Sequence, residues 1–427
     1  MACVPLVLAA CTGSDEVNPK PGLVAGLPPG VAKVTGKCGG KIALTPTSTS
    51  NDESYLSYPA VYDCATGKFE VLEPAGAAAD DQEYFADLNL TASGYYMNRY
   101  MRIGRQRFGG YWFYTLTGNL VSGFERPDLD PHDLMVGKDS ILYIKYITPR
   151  SVAMDGFRCG VYPIELELVE ESSAGQVTWR WESTGRFDTS WSVIHPSLDE
   201  LKPPSGWKGA FETVRNCYTA MLKRAFSIET PSGLIGAQDF PLFAVHVNDY
   251  IHANSIAAVG PGKDILVSGR HLDTVFLIDR KTGAVKWSLG GPKSRMSPRR
   301  PQADPRGGFS HQHAASISGN RLYVFDNGNN FPDLPSRAVI YAVDETRLDS
   351  AVFSFEFMEP NRFRRPSAGS VQPIGGGRIL IGWGGVSGEQ SDQTTRAVSI
   401  VDTNTGDETF AIDFAPGWES YRARYFP

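Results

Sequence analysis

The histidines of this sequence are concentrated in one stretch of the chain, from residue 249 to residue 327. Five of the seven fall in or beside it: His246, His252, His271, His311 and His313. Asn254, Arg270 and Gln312 lie in the same stretch, between short apolar runs such as ILVSG and RLYVF. Strands that end in polar side chains and are joined by glycine-rich turns place those side chains at the rim of a β architecture, where sites are commonly built. We therefore expect the chemistry of this protein here.

The spacing of these polar residues predicts a shared centre. His252 and Asn254 are two residues apart in IHANSI, and positions i and i+2 of an extended strand face the same side. Arg270 directly follows ILVSG, and His313, in FSHQHAA, comes just before the strand RLYVF. His132, in DPHDLMVGKDSILYI, repeats that order one unit earlier, with a histidine, a turn and then an apolar strand. Separate structural units could thus each offer one polar group to a common centre.

These residue types suit the transfer of a sulfuryl or phosphoryl group. One imidazole can act as nucleophile and a second as acid or base, while an arginine and an asparagine amide hold anionic oxygens. Such a transfer spreads charge over equatorial oxygens, so fixed donors stabilise its transition state. The sequence shows no Walker-type loop and no evident carboxylate cluster for Mg²⁺, which argues against a nucleotide donor. Three histidines could equally bind a metal ion, so a metal-dependent enzyme stays an alternative.

The other histidines of the stretch have ordinary interpretations. His246 and His271 are predicted to be structural or surface groups, and His311 to be exposed in a loop. Each histidine taken alone is more easily explained as a structural group than as a catalyst. It is the grouping that predicts a site.

Length and composition allow a large folded core. The chain has 427 residues, of which 41% are hydrophobic and 11% aromatic. The net charge of −6 gives no electrostatic reason to expect nucleic acid as a partner. Regular β architectures often exceed the usual size of one domain, so the length is compatible with a single β domain.

A loose repeat of strands and turns predicts the fold. Segments such as YPAVYDCATGKFEVLEP and TVFLIDRKTGAVKWSLGG align, and their Thr-Gly pairs mark hairpins: Thr66-Gly67, Thr117-Gly118, Thr282-Gly283 and Thr405-Gly406. A period of about 40 to 60 residues with about four strands is the signature of a β-propeller. Six such units fill the chain, so we expect an all-β fold, a six-bladed β-propeller with a small helical or loop insert. Residues 213–229 are the one stretch with helical apolar spacing. A pair of β-sandwiches is the alternative, but it would not explain the repeated hairpin.

The first residues resemble a bacterial lipoprotein signal. Residues 1–11 are a short apolar run that ends at Cys11, the expected lipidation site, although the positively charged start of a normal signal is missing. Residues 12–35 are rich in Pro and Gly and are predicted to be a flexible tether, with the propeller occupying residues 36–427. We therefore expect an exported protein of the cell envelope, held at the membrane by a lipid anchor.

Four cysteines remain after the leader: Cys38, Cys64, Cys159 and Cys217. An even number in an exported protein predicts two disulfides. Three pairings are possible, and proximity along the chain favours Cys38–Cys64 and Cys159–Cys217. None of these cysteines has the spacing of a metal site.

The central motifs together resemble the arylsulfotransferase family. They are HANSI, ILVSGRHLDTVFLID, TG-x-V-x-W-x-LGGP, F-x-x-QHAA and LYVFDNGN, and the resemblance is dense from about residue 249 to residue 330. It is faint in the N-terminal third. The resemblance implies a six-bladed propeller with its active site in the central channel and a ping-pong reaction. The partners would be a phenolic sulfate ester as donor and a phenolic acceptor, with no nucleotide sulfate donor, no cofactor and no metal.

The resemblance also implies a role for each motif residue. His313 would be the nucleophile that takes the sulfuryl group. His252 and Arg270 would stabilise the sulfuryl oxygens, with Asn254 assisting, and Gln312 would join Asn254 in binding the substrate.

His132 looks like the family's other channel histidine. A histidine must also protonate the leaving phenolate and deprotonate the acceptor, and the sequence does not say which one. Two other functions stay open: a propeller that serves the cell envelope as a non-catalytic binding or scaffold lipoprotein, and a metal-dependent hydrolase. The first predicts that these side chains are not close together or that the channel is plugged.

Overall fold

The computed structural model describes twelve parts of the chain: residues 26–48, 56–73, 83–103, 106–126, 129–147, 162–163, 165–187, 247–291, 301–331, 333–343, 351–386 and 391–427. Most of these residues lie in strands, and all but two short strands of the described chain form six antiparallel sheets. Each sheet has four strands, except one that has five. Successive sheets follow one another along the chain as the blades of a β-propeller, as the repeat predicts.

The strands are numbered in chain order, beginning with β1 (Val31–Gly36). Blade 1 contains β2 (Lys41–Ser48), β3 (Ala60–Asp63) and β4 (Lys68–Val71). Blade 2 contains β5 (Glu83–Leu90), β6 (Gly94–Ile103), β7 (Gln106–Thr115) and β8 (Leu120–Phe124). Blade 3 contains β9 (Leu129–Val136) and β10 (Ser140–Ile147), then, beyond the short strand β11 (Tyr162–Pro163), β12 (Glu165–Ser172) and β13 (Val177–Glu182).

The remaining blades follow in the same way. After β14 (Val247–Asn248), which pairs in parallel with β11, blade 4 contains β15 (Ala253–Val259), β16 (Asp264–Gly269), β17 (Thr274–Ile278) and β18 (Val285–Gly290). Blade 5 contains β19 (His313–Ser318), β20 (Arg321–Asp326), β21 (Arg337–Val343) and β22 (Ala351–Met358). Blade 6 contains β23 (Ser370–Gly375), β24 (Arg378–Gly382), β25 (Thr395–Asp402) and β26 (Glu408–Phe414), and the last strand of the chain is β27 (Trp418–Phe426).

The two ends of the described chain close the ring. The last strand, β27, pairs with β2 and becomes the first strand of blade 1. The first strand, β1, pairs with β26 as a fifth strand on blade 6. The predicted tether reached residue 35, whereas Val31–Gly36 is part of the propeller. Composition misled that prediction, because the backbone hydrogen bonds that β1 makes with β26 do not depend on a periodic apolar pattern.

The Thr-Gly pairs lie where the repeat predicts them, between the third and fourth strands of blades 1, 2, 4 and 6. All four glycines have a positive φ, which L side chains adopt only with strain. At Gly118 a Cβ would also stand 2.3 Å from the Glu73 carbonyl oxygen. In blade 4 the turn is held by Asp279, whose Oδ1 accepts the Thr282 N–H at 2.7 Å. These turns therefore form from local sequence alone.

The core lies between adjacent blades. Blades 4 and 5 pack Leu266, Val275 and Leu289 against Val324 and Tyr341. Strands of this kind are covered on both faces, which explains continuous apolar runs such as TVFLI in β17, where every residue is buried.

Several further predictions can be compared with this fold. Cys38 and Cys64 form a disulfide, which confirms that pair. Cys11, Cys159, Cys217 and the predicted helix at residues 213–229 lie outside the described residues. Within the described part of the chain, the 3-10 turn Arg270–Leu272 is the helical element that matters for the site, and no helix is long and apolar enough to span a bilayer.

Candidate active site

The predicted site residues converge where the inner strands of the blades begin. His132 lies near the start of β9, His252 just before β15, and His313 is the first residue of β19. The ring centres of His132 and His252 are 4.7 Å apart, in an edge-to-face arrangement. The positive charge of Arg270 acts on the His252 and His313 rings. Three blades thus contribute to one cluster, as the spacing predicts.

The local backbone at His252 differs from the extended strand that the alternation assumed. His252 precedes β15 and has a φ of 48°, in the left-handed region. Asp249 holds this turn, because its Oδ1 accepts the His252 N–H at 2.9 Å while its Oδ2 lies 2.6 Å from the His252 Nδ1. A four-residue segment, Asp-Tyr-Ile-His, therefore orients the imidazole without help from the strand.

Carboxylates set the tautomer of two imidazoles. The Nδ1 of His132 lies 2.8 Å from Asp130 Oδ1, just as the Nδ1 of His252 lies against Asp249. An ionised carboxylate can only accept a hydrogen bond, so each Nδ1 must carry the hydrogen. Each Nε2 is left with its lone pair. The result is two imidazoles that can take up a proton at Nε2 beside a negative charge that stabilises the imidazolium.

An amide performs this task for His313. Asn327 donates through Nδ2 to the carbonyl oxygens of Arg365 and Ala368, at 2.7 and 3.0 Å. Its Oδ1 must therefore face the His313 Nδ1, at 2.7 Å, and accept its hydrogen. The Ala368 N–H donates to the His313 Nε2 at 3.3 Å, which requires a lone pair on that atom. The His313 Nε2 is thus the ring nitrogen that carries no hydrogen.

The charge state of His313 fits this assignment. The side chain is almost completely buried, with 3% of its surface exposed. Burial, followed by the positive charge of Arg270, lowers the pKa of His313 well below its usual value. At neutral pH the ring is therefore uncharged, which a nucleophile requires.

Arg270 lies in the 3-10 turn that follows β16 and is buried beside the imidazoles. Its Nη2 donates to the Pro366 carbonyl oxygen at 3.3 Å, and its Nη1 lies 2.9 Å from the His271 Nε2. Pro366 and Ala368 belong to the segment before β23, which contacts both Arg270 and His313. This segment of blade 6 therefore forms a wall of the site.

Asn254 and Gln312 are predicted site residues, and their side chains donate hydrogen bonds to backbone carbonyl oxygens. Both are completely buried. Asn254 Nδ2 donates to the Gln312 carbonyl oxygen at 2.8 Å. The Gln312 side chain turns into blade 4, where its Nε2 donates to the carbonyl oxygens of Gly269 and Thr274 at 3.1 and 3.0 Å. These bonds hold the start of β19 against blade 4, and substrate binding by the two side chains stays a prediction.

Asp249, His252 and His271 offer potential metal ligands within 4.8 Å of one another. Their hydrogen bonds do not suit a cation. The His252 Nδ1 hydrogen goes to Asp249, the His271 Nδ1 lies 2.6 Å from the Asp249 carbonyl oxygen, and the His271 Nε2 faces the Arg270 guanidinium. A metal ion here would lie beside a fixed positive charge, so the donor set does not fit a resident metal.

Sequence reasoning missed the residues that orient the imidazoles. A signal was present for two of them, because Asp130 and Asp249 precede their histidines by two and three residues. Tyr421 carried no such signal. Its ring centre lies 6.3 Å from that of His132, and it comes from β27, which reaches the site only through ring closure.

His311 departs from its prediction as an exposed loop residue. It is buried, with 9% of its surface exposed. Its N–H donates to Asp273 Oδ1 at 2.6 Å, and its backbone has a φ of 52°. A buried carboxylate that accepts this backbone bond holds the loop against blade 4.

Comparison with known proteins gives no match among curated proteins. Among solved structures, a protein of unknown function from Bacteroides caccae is 11% identical over 90% of this chain and 98% of its own, with a TM-score of 0.45. The periplasmic gluconolactonase PpgL of Pseudomonas aeruginosa is 11% identical over 90% of this chain and 99% of its own, with a TM-score of 0.42. Likenesses this distant say nothing about the chemistry of the site.

A comparison with protein families is more informative. The sequence model described as Arylsulfotransferase (ASST) matches residues 161–422. That match spans more than half of the chain and contains His252, Arg270 and His313, while His132 lies outside it.

Proposed function

Because the chain belongs to the arylsulfotransferase family, we propose that it transfers a sulfuryl group from a phenolic sulfate ester to a phenolic acceptor. The transfer follows a ping-pong course through a sulfohistidine at His313. The observation that carries this proposal is the state of that ring, whose neutral tautomer keeps the lone pair on Nε2 beside the charge of Arg270.

In the first half-reaction the His313 Nε2 releases the Ala368 N–H, and its lone pair attacks the sulfur of the donor ester. An N–S bond forms as the bond between sulfur and the aryl oxygen breaks, and the phenolate leaves with the electron pair. Arg270 stabilises the sulfuryl oxygens in the transition state, in which they carry the negative charge. His313 needs no base, because its Nε2 already lacks a hydrogen.

In the second half-reaction the oxygen of the acceptor phenol attacks the same sulfur. The N–S electron pair returns to His313, and the phenolic proton passes to an imidazole Nε2. His132 and His252 both qualify, because each has a carboxylate on Nδ1 that stabilises the imidazolium. The same imidazole can return a proton to a weakly acidic leaving group.

The alternative functions have less support from the geometry. A non-catalytic scaffold predicts scattered side chains or a plugged channel, and the side chains are not scattered, because the imidazoles of His132 and His252 are in contact. A metal-dependent hydrolase needs free ligand atoms. In the cluster of Asp249, His252 and His271, the His271 Nε2 instead faces the Arg270 guanidinium. Export and lipid anchoring at Cys11 stay predictions of the leader, and we include them in the proposal on that ground alone.

The test is to incubate the purified full chain with 4-nitrophenyl sulfate and phenol. Beyond the first turnover, wild type should release nitrophenol only when acceptor is present. When acceptor is omitted, the intact mass of the protein should rise by one SO₃ group. His313→Ala should show neither. His311→Asn is the matched control, since asparagine tolerates a left-handed backbone and His311 has no part in the proposed chemistry.

Two results would contradict the proposal. One is release that His313→Ala leaves unchanged but a chelator abolishes, which would point to a metal hydrolase. The other is the absence of release and adduct across a panel of phenols, which would favour a binding protein.

A further inference from the structure

His271 is buried next to Arg270 and has no assigned part in the transfer. Its ring is 2% exposed and stacks on the His252 ring, with centres 4.3 Å apart. Its Nδ1 lies 2.6 Å from the Asp249 carbonyl oxygen, and its Nε2 lies 2.9 Å from Arg270 Nη1. Both nitrogens are therefore used, one on the backbone of blade 4 and one on the guanidinium.

These partners permit a single protonation state. A carbonyl oxygen can only accept, so the His271 Nδ1 carries a hydrogen, and a guanidinium can only donate, so the Nε2 carries a lone pair. Burial, followed by the charges of His252 and Arg270, lowers the pKa of His271 well below its usual value. His271 is thus neutral, and its Nε2 accepts a hydrogen bond from the Arg270 guanidinium.

We propose that His271 is a positioning residue, which fixes the Arg270 guanidinium in the orientation that receives the sulfuryl oxygens. Asp249 ties this arrangement to one of the two candidate acid–base groups, because its carboxylate orients His252 while its carbonyl oxygen orients His271. One residue thereby sets the directions of two imidazoles. The inference rests on the proposed function, since it assigns a role in the first half-reaction.

A pair of substitutions separates the two bonds of His271. Glutamine places its Oε1 near the position of the imidazole Nε2 and can still accept from Arg270. Asparagine places its amide nitrogen near the position of Nδ1, so it can donate to the Asp249 carbonyl oxygen but offers Arg270 no acceptor. A role confined to the backbone bond would not favour His271→Gln over His271→Asn. A role confined to packing could favour the larger glutamine, but that difference would persist in an Arg270→Ala background.

We expect His271→Asn to lower kcat/KM for 4-nitrophenyl sulfate by about 10-fold to 100-fold, the usual effect of a misplaced catalytic group. The loss should fall mainly on kcat, because Arg270 acts on the transition state. His271→Gln should recover most of the lost rate. In an Arg270→Ala background the two variants should have equal rates, because the interaction they distinguish is gone.

A second readout needs no turnover. Calorimetric titration with inorganic sulfate should show weaker binding to His271→Asn than to His271→Gln or wild type. Equal rates and equal sulfate affinities for the two variants would overturn the role of His271, as would a difference that persists in the Arg270→Ala background. If His271→Asn does not fold, a rate for His271→Gln as low as that of Arg270→Ala would also overturn it.

The same data separate this inference from the proposed function. One result would contradict the sulfotransfer reaction and support the positioning role. It is sulfate binding that depends on Arg270 and is weakened in His271→Asn, in a protein whose wild type turns over no aryl sulfate. A wild-type protein that neither binds sulfate nor reacts contradicts both.

Discussion

At the scale of single residues, the partners of the three imidazoles differ in charge. His132 and His252 have carboxylates on Nδ1, whereas His313 has the neutral amide of Asn327. Burial lowers the pKa of His252, and the Asp249 carboxylate opposes that shift, which suits a group that must take up a proton. An amide fixes the same tautomer without that effect, which suits a nucleophile that must stay uncharged. The choice of Asn at 327 thus matches the role proposed for His313.

Asn327→Asp should reverse this choice. A carboxylate on Nδ1 raises the pKa of His313, so the ring stays protonated to a higher pH and its Nε2 lone pair is lost there. In wild type the lowered pKa keeps the ring neutral at all pH values above it. We therefore expect the acid limb of kcat/KM for 4-nitrophenyl sulfate to move to higher pH. The measurement is a pH–rate profile of the first half-reaction.

A control adds the same charge elsewhere. The control is Asn404→Asp, because Asn404 lies in the exposed turn between β25 and β26. The pH–rate profile of this variant should overlay that of wild type. Melting temperatures should accompany both profiles, because Asn327 also donates to Arg365 and Ala368. An acid limb that does not move in a folded Asn327→Asp protein would contradict the proposed nucleophile.

At the scale of elements, the hairpins between third and fourth strands carry the repeat. Their Thr-Gly turns could be predicted because the cause is local, namely a positive φ and, in blades 1, 4 and 6, an aspartate that accepts turn N–H groups. The left-handed histidines could not be predicted in this way. The positive φ of His252 depends on Asp249, and that of His311 depends on Asp273, which belongs to a different blade's loop.

A comparison of two turn glycines with nearly the same φ separates backbone strain from steric conflict with a neighbouring group. Gly118 and Gly406 have φ values of 82° and 80°. A Cβ at Gly406 would meet nothing within 4 Å, whereas one at Gly118 would meet the Glu73 carbonyl oxygen. We expect Gly406→Ala to lower the free energy of unfolding by about 1 kcal/mol and Gly118→Ala by about 2 to 4 kcal/mol. Urea unfolding measures both, and equal losses would show that the turn of blade 2 relaxes.

At the scale of the whole molecule, ring closure depends on buried charges as well as on strand pairing. The closing strand β27 carries Arg422 and Arg424, which contact Asp87 of blade 2 and Asp133 of blade 3. Asp87 is completely buried, and although burial opposes its ionisation, the charges of Arg424 and Arg422 lower its pKa. The C-terminal strand is thus tied ionically to two blades beyond its own.

Asp87→Asn should destabilise this closure. Asparagine has the same shape and tolerates the φ of 53° at this position, so the main change is the loss of a charge between the buried Arg422 and the half-buried Arg424. Removal of one partner from a buried ion pair costs about 3 to 5 kcal/mol. Denaturant unfolding at neutral pH checks this value. Asp407→Asn, in the exposed turn between β25 and β26, is the control, and an equally small effect of both would show that strand pairing alone closes the ring.

Short-range features of the sequence account for the class of fold and for the turns beside two of the clustered histidines. Strand runs, Thr-Gly turns and the closely spaced Asp130–His132 and Asp249–His252 pairs are all set by neighbours a few residues apart. Interactions of that range need no folded ring, because the chain brings the groups together at little cost in entropy.

The hydrogen-bond partners of other residues depend on contacts between blades. Asn327 fixes the tautomer of His313 only because carbonyl oxygens of blade 6 engage its Nδ2, and β27 meets Asp87 across more than three hundred positions of sequence. Gln312 turns into blade 4, and β1 joins blade 6 despite its tether-like flank. The direction of a hydrogen bond and the partner of an edge strand depend on groups that only the closed propeller brings into contact.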